Sequence, residues 1–212
     1  MTLTYRQYGN KKSKKVIFML HGFGDDEESY VDLAENINSN YNYYCIRAPI
    51  PLYMGGYSWH YIPEGNDVIS SEYDKVIDDI TKSILDLNET IKEIIEMDLL
   101  VDKELILFGF SQGCFMCFSM MNSFNFSKIF GICGYAKKSD IIKIDNKIKI
   151  YYFFDEKDPV INKKLLGAET LFGDELYQEL KNKNYDLEYI KTNSGHSIDQ
   201  NSFNLIKKYM DY

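Results

Sequence analysis

The chain has 212 residues, a formal net charge of −8, 45% apolar residues and 26% charged residues. That length supports one sizeable hydrophobic core, so a single domain over 1–212 is expected. The acidic balance argues against a nucleic-acid groove, and no apolar run is long enough to cross a bilayer.

Residues 11–15 (KKSKK) precede the apolar run 16–20 (VIFML) in the manner of a signal peptide, but His21-Gly22 ends that run too soon. A cytoplasmic location is therefore expected. The run itself, β-branched and apolar, predicts a central parallel strand. The segment His21-Gly22-Phe23-Gly24-Asp25 that follows suits either a plain strand-to-helix turn or a loop whose backbone N–H groups face a ligand. A helix is predicted over 25–38, acidic in its first turn, with Tyr30, Leu33, Ala34 and Ile37 on its apolar face. Residues 43–46 predict the next strand.

Residues 47–67 show no periodicity and contain Pro49, Pro51, Pro63, Gly55, Gly56 and Gly65. A loop of that length in a compact domain is usually functional. It carries Leu52, Tyr53, Met54, Tyr57, Trp59 and Tyr61, which suit the wall of an acyl site or pins that hold the loop to the body. Ser71-x-x-Asp74 resembles a capping box and opens a long helix with Val76, Ile80, Ile84, Leu87, Ile91 and Ile94 on one face. Strands are predicted at 105–108, 128–133, 147–154 and 186–191, and helices at 112–122, 170–183 and 202–209. This alternation implies a largely parallel sheet with helices on both faces.

Gly109-Phe110-Ser111-Gln112-Gly113 lies between a predicted strand and a predicted helix. Gly-x-Ser-x-Gly in that context is a nucleophile elbow, a turn so tight that its flanks must lack side chains. It exposes the Ser111 hydroxyl and leaves the Gln112 N–H beside a developing oxyanion. Phe23, in the loop after the first strand, is the candidate second donor, again through its backbone. A serine hydroxyl needs a base within reach, and histidine suits the role because its pKa lies near ~6.5.

The chain has three histidines. His21 belongs to the donor loop, His60 has no orienting acid, and His196 follows the last strand behind a glycine. His196 is thus the candidate base. The acid is expected between Ser111 and His196, after a strand. Asp155 and Asp158 both qualify, and Asp158, deeper in its loop and stiffened by Pro159, is preferred. Cys45, Cys114, Cys117 and Cys133 fall on core elements; Cys114-x-x-Cys117 without a second pair or nearby histidines makes a poor zinc site.

Taken together, His21-Gly22-Phe23-Gly24-Asp25, Ala48-Pro49, Ser58-Trp59, Gly109 to Gly113, Asp158-Pro159-Val160 and Gly195-His196-Ser197 resemble the phospholipase/carboxylesterase family, from near residue 16 to the C-terminus. The resemblance implies an α/β-hydrolase fold with little or no lid. It further implies Ser111, Asp158 and His196 as catalytic residues, Phe23 and Gln112 as backbone oxyanion donors, and Trp59 near the substrate. Family members usually have leucine at Phe23 and glycine at Cys114, and the stretch 162–174 looks longer than usual and suited to reshaping the entrance.

The expectation is a serine esterase or thioesterase for short to medium acyl chains, with Trp59, Met54 and Leu52 along the substrate and no metal or cofactor. Acylated proteins and lysolipids are further candidate substrates, and an exposed Tyr/Phe patch would support a homodimer. The alternatives are an inactive hydrolase scaffold used for binding, and a dienelactone-hydrolase-like enzyme, in which a cysteine would occupy the place of Ser111.

Overall fold

The structure, a computed structural model, describes residues 1–63, 70–142, 147–162 and 166–212. Gly65, Asp67 and the side chain of Ser71, and with it the capping box, lie outside the described residues, as does part of the stretch 162–174. The elements run β1 (Tyr5–Gly9), β2 (Lys15–Leu20), α1 (Glu27–Asn38), β3 (Asn42–Ile46), β4 (Ile50–Pro51), β5 (Tyr57–Ser58), α2 (Ser70–Met97), β6 (Glu104–Phe110) and α3 (Gln112–Met120). They continue as β7 (Phe126–Ile132), β8 (Ala136–Lys137), β9 (Lys149–Phe154), β10 (Thr170–Leu171), α4 (Gly173–Asn182), β11 (Asp186–Lys191) and α5 (Gln200–Asp211).

Seven strands form one sheet in the order β1-β3-β2-β6-β7-β9-β11. All neighbours are parallel except β1, which pairs antiparallel with β3 at the edge. The period of two along each strand divides the core. Val16, Phe18 and Leu20, with Leu105 and Leu107, join the cluster that contains α2, α3 and α4 residues such as Leu87, Phe115 and Leu176. Ile17 and Met19, with Ile106 and Phe108, face the other way and join Tyr30, Ala34 and Ile37 of α1 and Ile206 and Met210 of α5. This is the α/β-hydrolase fold, a mostly parallel sheet covered by helices on both faces. Among the described residues no helix is long and apolar enough to cross a membrane.

Two sequence expectations need correction, and one strand is not expected from the sequence at all. Residues 47–67 are not without regular structure, because β4 and β5 form a short antiparallel hairpin there, pairing Ile50 with Ser58 and Pro51 with Tyr57. The helix expected from 170 begins at Gly173, since Thr170 and Leu171 pair with Lys137 and Ala136 of β8. The edge strand β1 carries no apolar run and is only partly covered, so periodicity alone does not reveal it.

One ion pair fixes the start of α1 against the end of β3. Arg47 Nε and Nη2 reach Glu27 Oε2 at 2.6 Å and Oε1 at 2.5 Å, and the guanidinium stacks 4.6 Å from the Tyr57 ring centroid. Glu27 is buried, whereas the Arg47 side chain keeps 31% of its exposure. The two truncations are therefore unequal, because only the carboxylate is stranded away from water when its partner goes. Arg47→Ala is expected to cost about 3 kcal/mol of unfolding free energy and Glu27→Ala clearly less. Urea unfolding of both variants measures the difference, and equal losses would contradict the account.

Candidate active site

The parallel strands end on one edge of the sheet, where open α/β sheets gather their sites. Adjacent strands β2 and β6 are in register there, with Leu20 opposite Gly109. Ser111 follows β6 at φ 55° and ψ −116°, and α3 begins at the next residue. Its own N–H donates to Ile132 O at 2.9 Å, which ties the turn to β7. The flanks of the turn have no room for side chains. A Cβ on Gly109 would lie 2.2 Å from Gly113 O, and one on Gly113 would lie 2.0 Å from Leu20 O.

The turn and the loop after β2 are consequently in close contact. A Cβ on Gly22 would stand 3.4 Å from Ser111 Cβ. The amides of Phe23 and Gln112 donate to no acceptor among the described residues, so both are free for a ligand oxygen. The Phe23 ring itself is 48% exposed.

Ser111, Asp158 and His196, remote in sequence, meet here. His196 Nε2 lies 3.0 Å from Ser111 Oγ, and Nδ1 lies 2.7 Å from Asp158 Oδ2. A carboxylate only accepts, so Nδ1 carries the proton and Nε2 accepts from the serine. Asp158 Oδ1 takes the N–H groups of Val160 at 2.8 Å and Ile161 at 3.2 Å, and its side chain is fully buried. Phe110 tilts against the imidazole with ring centroids 5.0 Å apart.

Asp155, the alternative acid, does not touch the imidazole. Its carboxylate accepts from the amides of Lys157 at 2.8 Å and Gly195 at 2.7 Å. Those two bonds, the Lys157 one foremost, hold its pKa below the usual carboxylate value.

Beneath the histidine loop, the Cys133 thiol donates to Ser197 O at 3.5 Å and Gly195 O at 3.7 Å. Burial pushes that thiol up to about 12, so it stays protonated. Cys133, Asp158 and His196 form a cluster of metal-ligand side chains within 4.8 Å. In it the acid and the imidazole are bonded to each other and the sulfur is a neutral thiol, an arrangement for moving a proton rather than holding a cation. The remaining cysteines are also buried and unpaired.

The residues expected to face the substrate divide. Leu52 and Met54 lie on the loop of the β4–β5 hairpin, half-buried and exposed respectively, and that hairpin bonds to the donor loop through Gly24 N–H to Tyr57 O at 2.9 Å. Trp59 is a correction. It does not line an open surface but is completely buried, its Nε1–H donating to His21 O at 2.9 Å. An indole N–H buried away from water needs an acceptor, and the backbone carbonyl at the start of the donor loop supplies one.

The Gln112 side chain binds the same segment. Its Oε1 accepts from Trp59 N–H at 3.0 Å and Ser58 Oγ at 3.1 Å, and its Nε2 donates to His60 O at 3.0 Å. Sequence reasoning assigned Gln112 only a backbone role. No local signal marks this second one, because its partners lie more than fifty residues away.

The other histidines are braces. His21 Nδ1 donates to Gly22 O at 2.7 Å while Nε2 accepts from Ala48 N–H at 2.9 Å, and burial lowers its pKa. His60 Nδ1 donates to Tyr61 O at 2.7 Å and Nε2 accepts from Tyr135 OH at 2.6 Å. Burial takes the His60 pKa down to about 4.

The chain matches the phospholipase/carboxylesterase family over residues 6–212 and belongs to it. An uncharacterized hydrolase of Schizosaccharomyces pombe is 26% identical over 141 residues, covering 59% of this chain and 55% of that protein. The match thus spans about half the length of that relative. The crystal structure of esterase PE8 superposes with a TM-score of 0.81 at 18% identity, covering 100% of this chain and 99% of that one. The Bacillus cereus carboxylesterase gives 0.75 at 17% identity, covering 99% and 93%.

Because the unfolded chain protonates His60 near pH ~6.5 and the folded one only near 4, stability falls as the pH drops through that interval. The loss attributable to His60 is about 3 kcal/mol and is complete below pH 4. Urea unfolding at pH 7, 5.5 and 4 measures it. His60→Gln is expected to flatten the acid slope, and an unchanged slope would remove His60 as its source.

Proposed function

We propose that the protein is a serine carboxylesterase of a single domain, hydrolysing short to medium acyl esters through an acyl-enzyme. The observation that carries this reading is the continuous chain of contacts from Ser111 Oγ through His196 to Asp158, at 3.0 and 2.7 Å, on a nucleophile elbow. Ser111 Oγ attacks the acyl carbonyl as His196 Nε2 takes its proton. Asp158 keeps the imidazole in the required tautomer and stabilises the imidazolium without becoming protonated.

The developing oxyanion is bound by the free N–H groups of Phe23 and Gln112. His196 returns its proton to the leaving alcohol or thiol, then activates water for deacylation. The mechanism uses side chains and backbone amides throughout and assigns no step to a metal or an organic cofactor. The half-exposed Phe23 ring, beside one of the oxyanion donors, bounds the acyl group, with Leu52 and Met54 on the adjoining hairpin.

Ser111→Ala is expected to lower kcat for a p-nitrophenyl acyl ester by on the order of 10⁴–10⁶, and the Ser111→Ala/His196→Ala double variant to be no worse than either single one. A fluorophosphonate probe is expected to label Ser111 stoichiometrically. Undiminished turnover by Ser111→Ala refutes the mechanism, and a wild-type protein inert to both probe and ester fits a binding scaffold instead.

A further inference from the structure

Three carboxylates stand in the short loop after β9; Glu156 accepts from the Tyr189 hydroxyl, and the other two hold different things. Asp158 holds the imidazole. Asp155 holds only backbone, yet from two loops at once. Its Oδ1 takes the amide of Lys157, the residue before the acid, and its Oδ2 takes the amide of Gly195, the residue before the base. Its own carbonyl accepts the Asp158 N–H at 2.9 Å. Every group of Asp155 that can accept a hydrogen bond is thus engaged at one of the two catalytic loops.

We infer that Asp155 is a positioning residue: it clamps the acid loop to the base loop and so sets where the imidazole of His196 sits between Asp158 and Ser111. The inference rests on the proposed role of the three residues. Asp155 is only 5% exposed, so water cannot readily replace a lost acceptor, and bonds from amides to a charged carboxylate are stronger than neutral ones. Two bound amides also favour the ionised form, so the clamp stays charged at neutral pH.

The remaining support of the histidine loop is weaker. Apart from the His196 side chain itself and the Thr192 N–H to Phe154 O bond at the loop's start, the loop is held by the Cys133 thiol, a poor donor, at 3.5 and 3.7 Å, and by the mutual bonds of Ser194 and Ser197 within the loop. Gly195 turns the chain at φ +60° just before the base, and among the described residues Asp155 is the only side chain that fixes its amide.

Asp155→Asn tests the clamp. The amide has the same shape but one acceptor oxygen, so it satisfies one of the two N–H groups and sets its own NH₂ against the other. With a p-nitrophenyl acyl ester, kcat is expected to fall about 10- to 100-fold while KM stays within about twofold, since a misplaced base slows chemistry without weakening ground-state binding. Fluorophosphonate labelling of Ser111 is expected to slow by a similar factor.

A lowered melting temperature with wild-type kcat well below unfolding would mean a structural role alone and overturns the inference. Asp155→Glu keeps the charge but displaces it by one methylene. It gives the same reading if the Asn variant does not fold: reduced kcat supports the clamp, and wild-type kcat overturns it. The His196 Nδ1 proton, observed by NMR, reports the Asp158 bond without turnover. A shifted or faster-exchanging signal in Asp155→Asn supports the clamp, and an unchanged one overturns it. Wild-type protein that neither labels nor turns over would instead refute the hydrolase reading, and the NMR result would still decide the role of Asp155.

Discussion

Ser111 is held at φ 55° and ψ −116°, a backbone conformation that costs a residue with a side chain roughly 1–3 kcal/mol. The turn tolerates it because its neighbours leave no alternative. Gly109 and Gly113 let one strand end, one helix start and the end of β2 approach to distances at which any Cβ would collide with backbone. The Ser111 amide is then taken by β7, which prevents the turn from relaxing. Strain at this point lifts the hydroxyl off the sheet, leaves the Gln112 amide unpaired at the head of α3, and presses the Gly22–Phe23 loop against the serine. The free amides and the position of the hydroxyl, on a serine that keeps only 7% of its exposure, are consequences of one steric arrangement.

The elbow alone does not fix the loop opposite it. That is achieved by a polar network under the site. Gln112 uses both ends of its side chain on residues 58–60, Trp59 donates its indole N–H to the carbonyl of His21, and Ser83 Oγ donates to the Trp59 carbonyl at 2.5 Å. Each group is buried, so each lost partner would strand another polar atom away from water. The elbow, the 58–60 segment and the donor loop are therefore positioned as one unit, with the Arg47–Glu27 pair closing it from the side.

Much of this arrangement is legible in the sequence. Continuous apolar runs give the buried strands, because parallel strands covered on both faces need no polar alternation. The Gly-x-Ser-x-Gly spacing gives the turn for a steric reason, and chain order gives Ser111 and His196 and narrows the acid to Asp155 or Asp158, with Asp158 preferred for its place deeper in the loop before Pro159. What stays hidden depends on which partner lies across the fold. Trp59 looks the same in sequence whether it lines a cleft or plugs the core, and the acceptor that satisfies its buried N–H, the His21 carbonyl, lies on another loop. Asp155 and Asp158 share a loop and a charge, and only the arrival of Gly195 and His196 from another strand separates their tasks. The edge strand β1 and the two-residue strands of the hairpin carry too few apolar residues for periodicity to register.

The three histidines show what singles out the base. All have the same tautomer, donating at Nδ1 and accepting at Nε2. In His21 and His60 the Nδ1 acceptor is a neutral carbonyl and burial opposes protonation. A proton arriving at Nε2 would create a charge with nothing to balance it. In His196 the acceptor is the carboxylate of Asp158, which is itself held by two amides and fully buried, so a proton taken from Ser111 would create an ion pair instead. The difference between a structural histidine and a candidate general base in this protein is thus the charge on the Nδ1 acceptor, together with the residual 17% exposure of the His196 side chain.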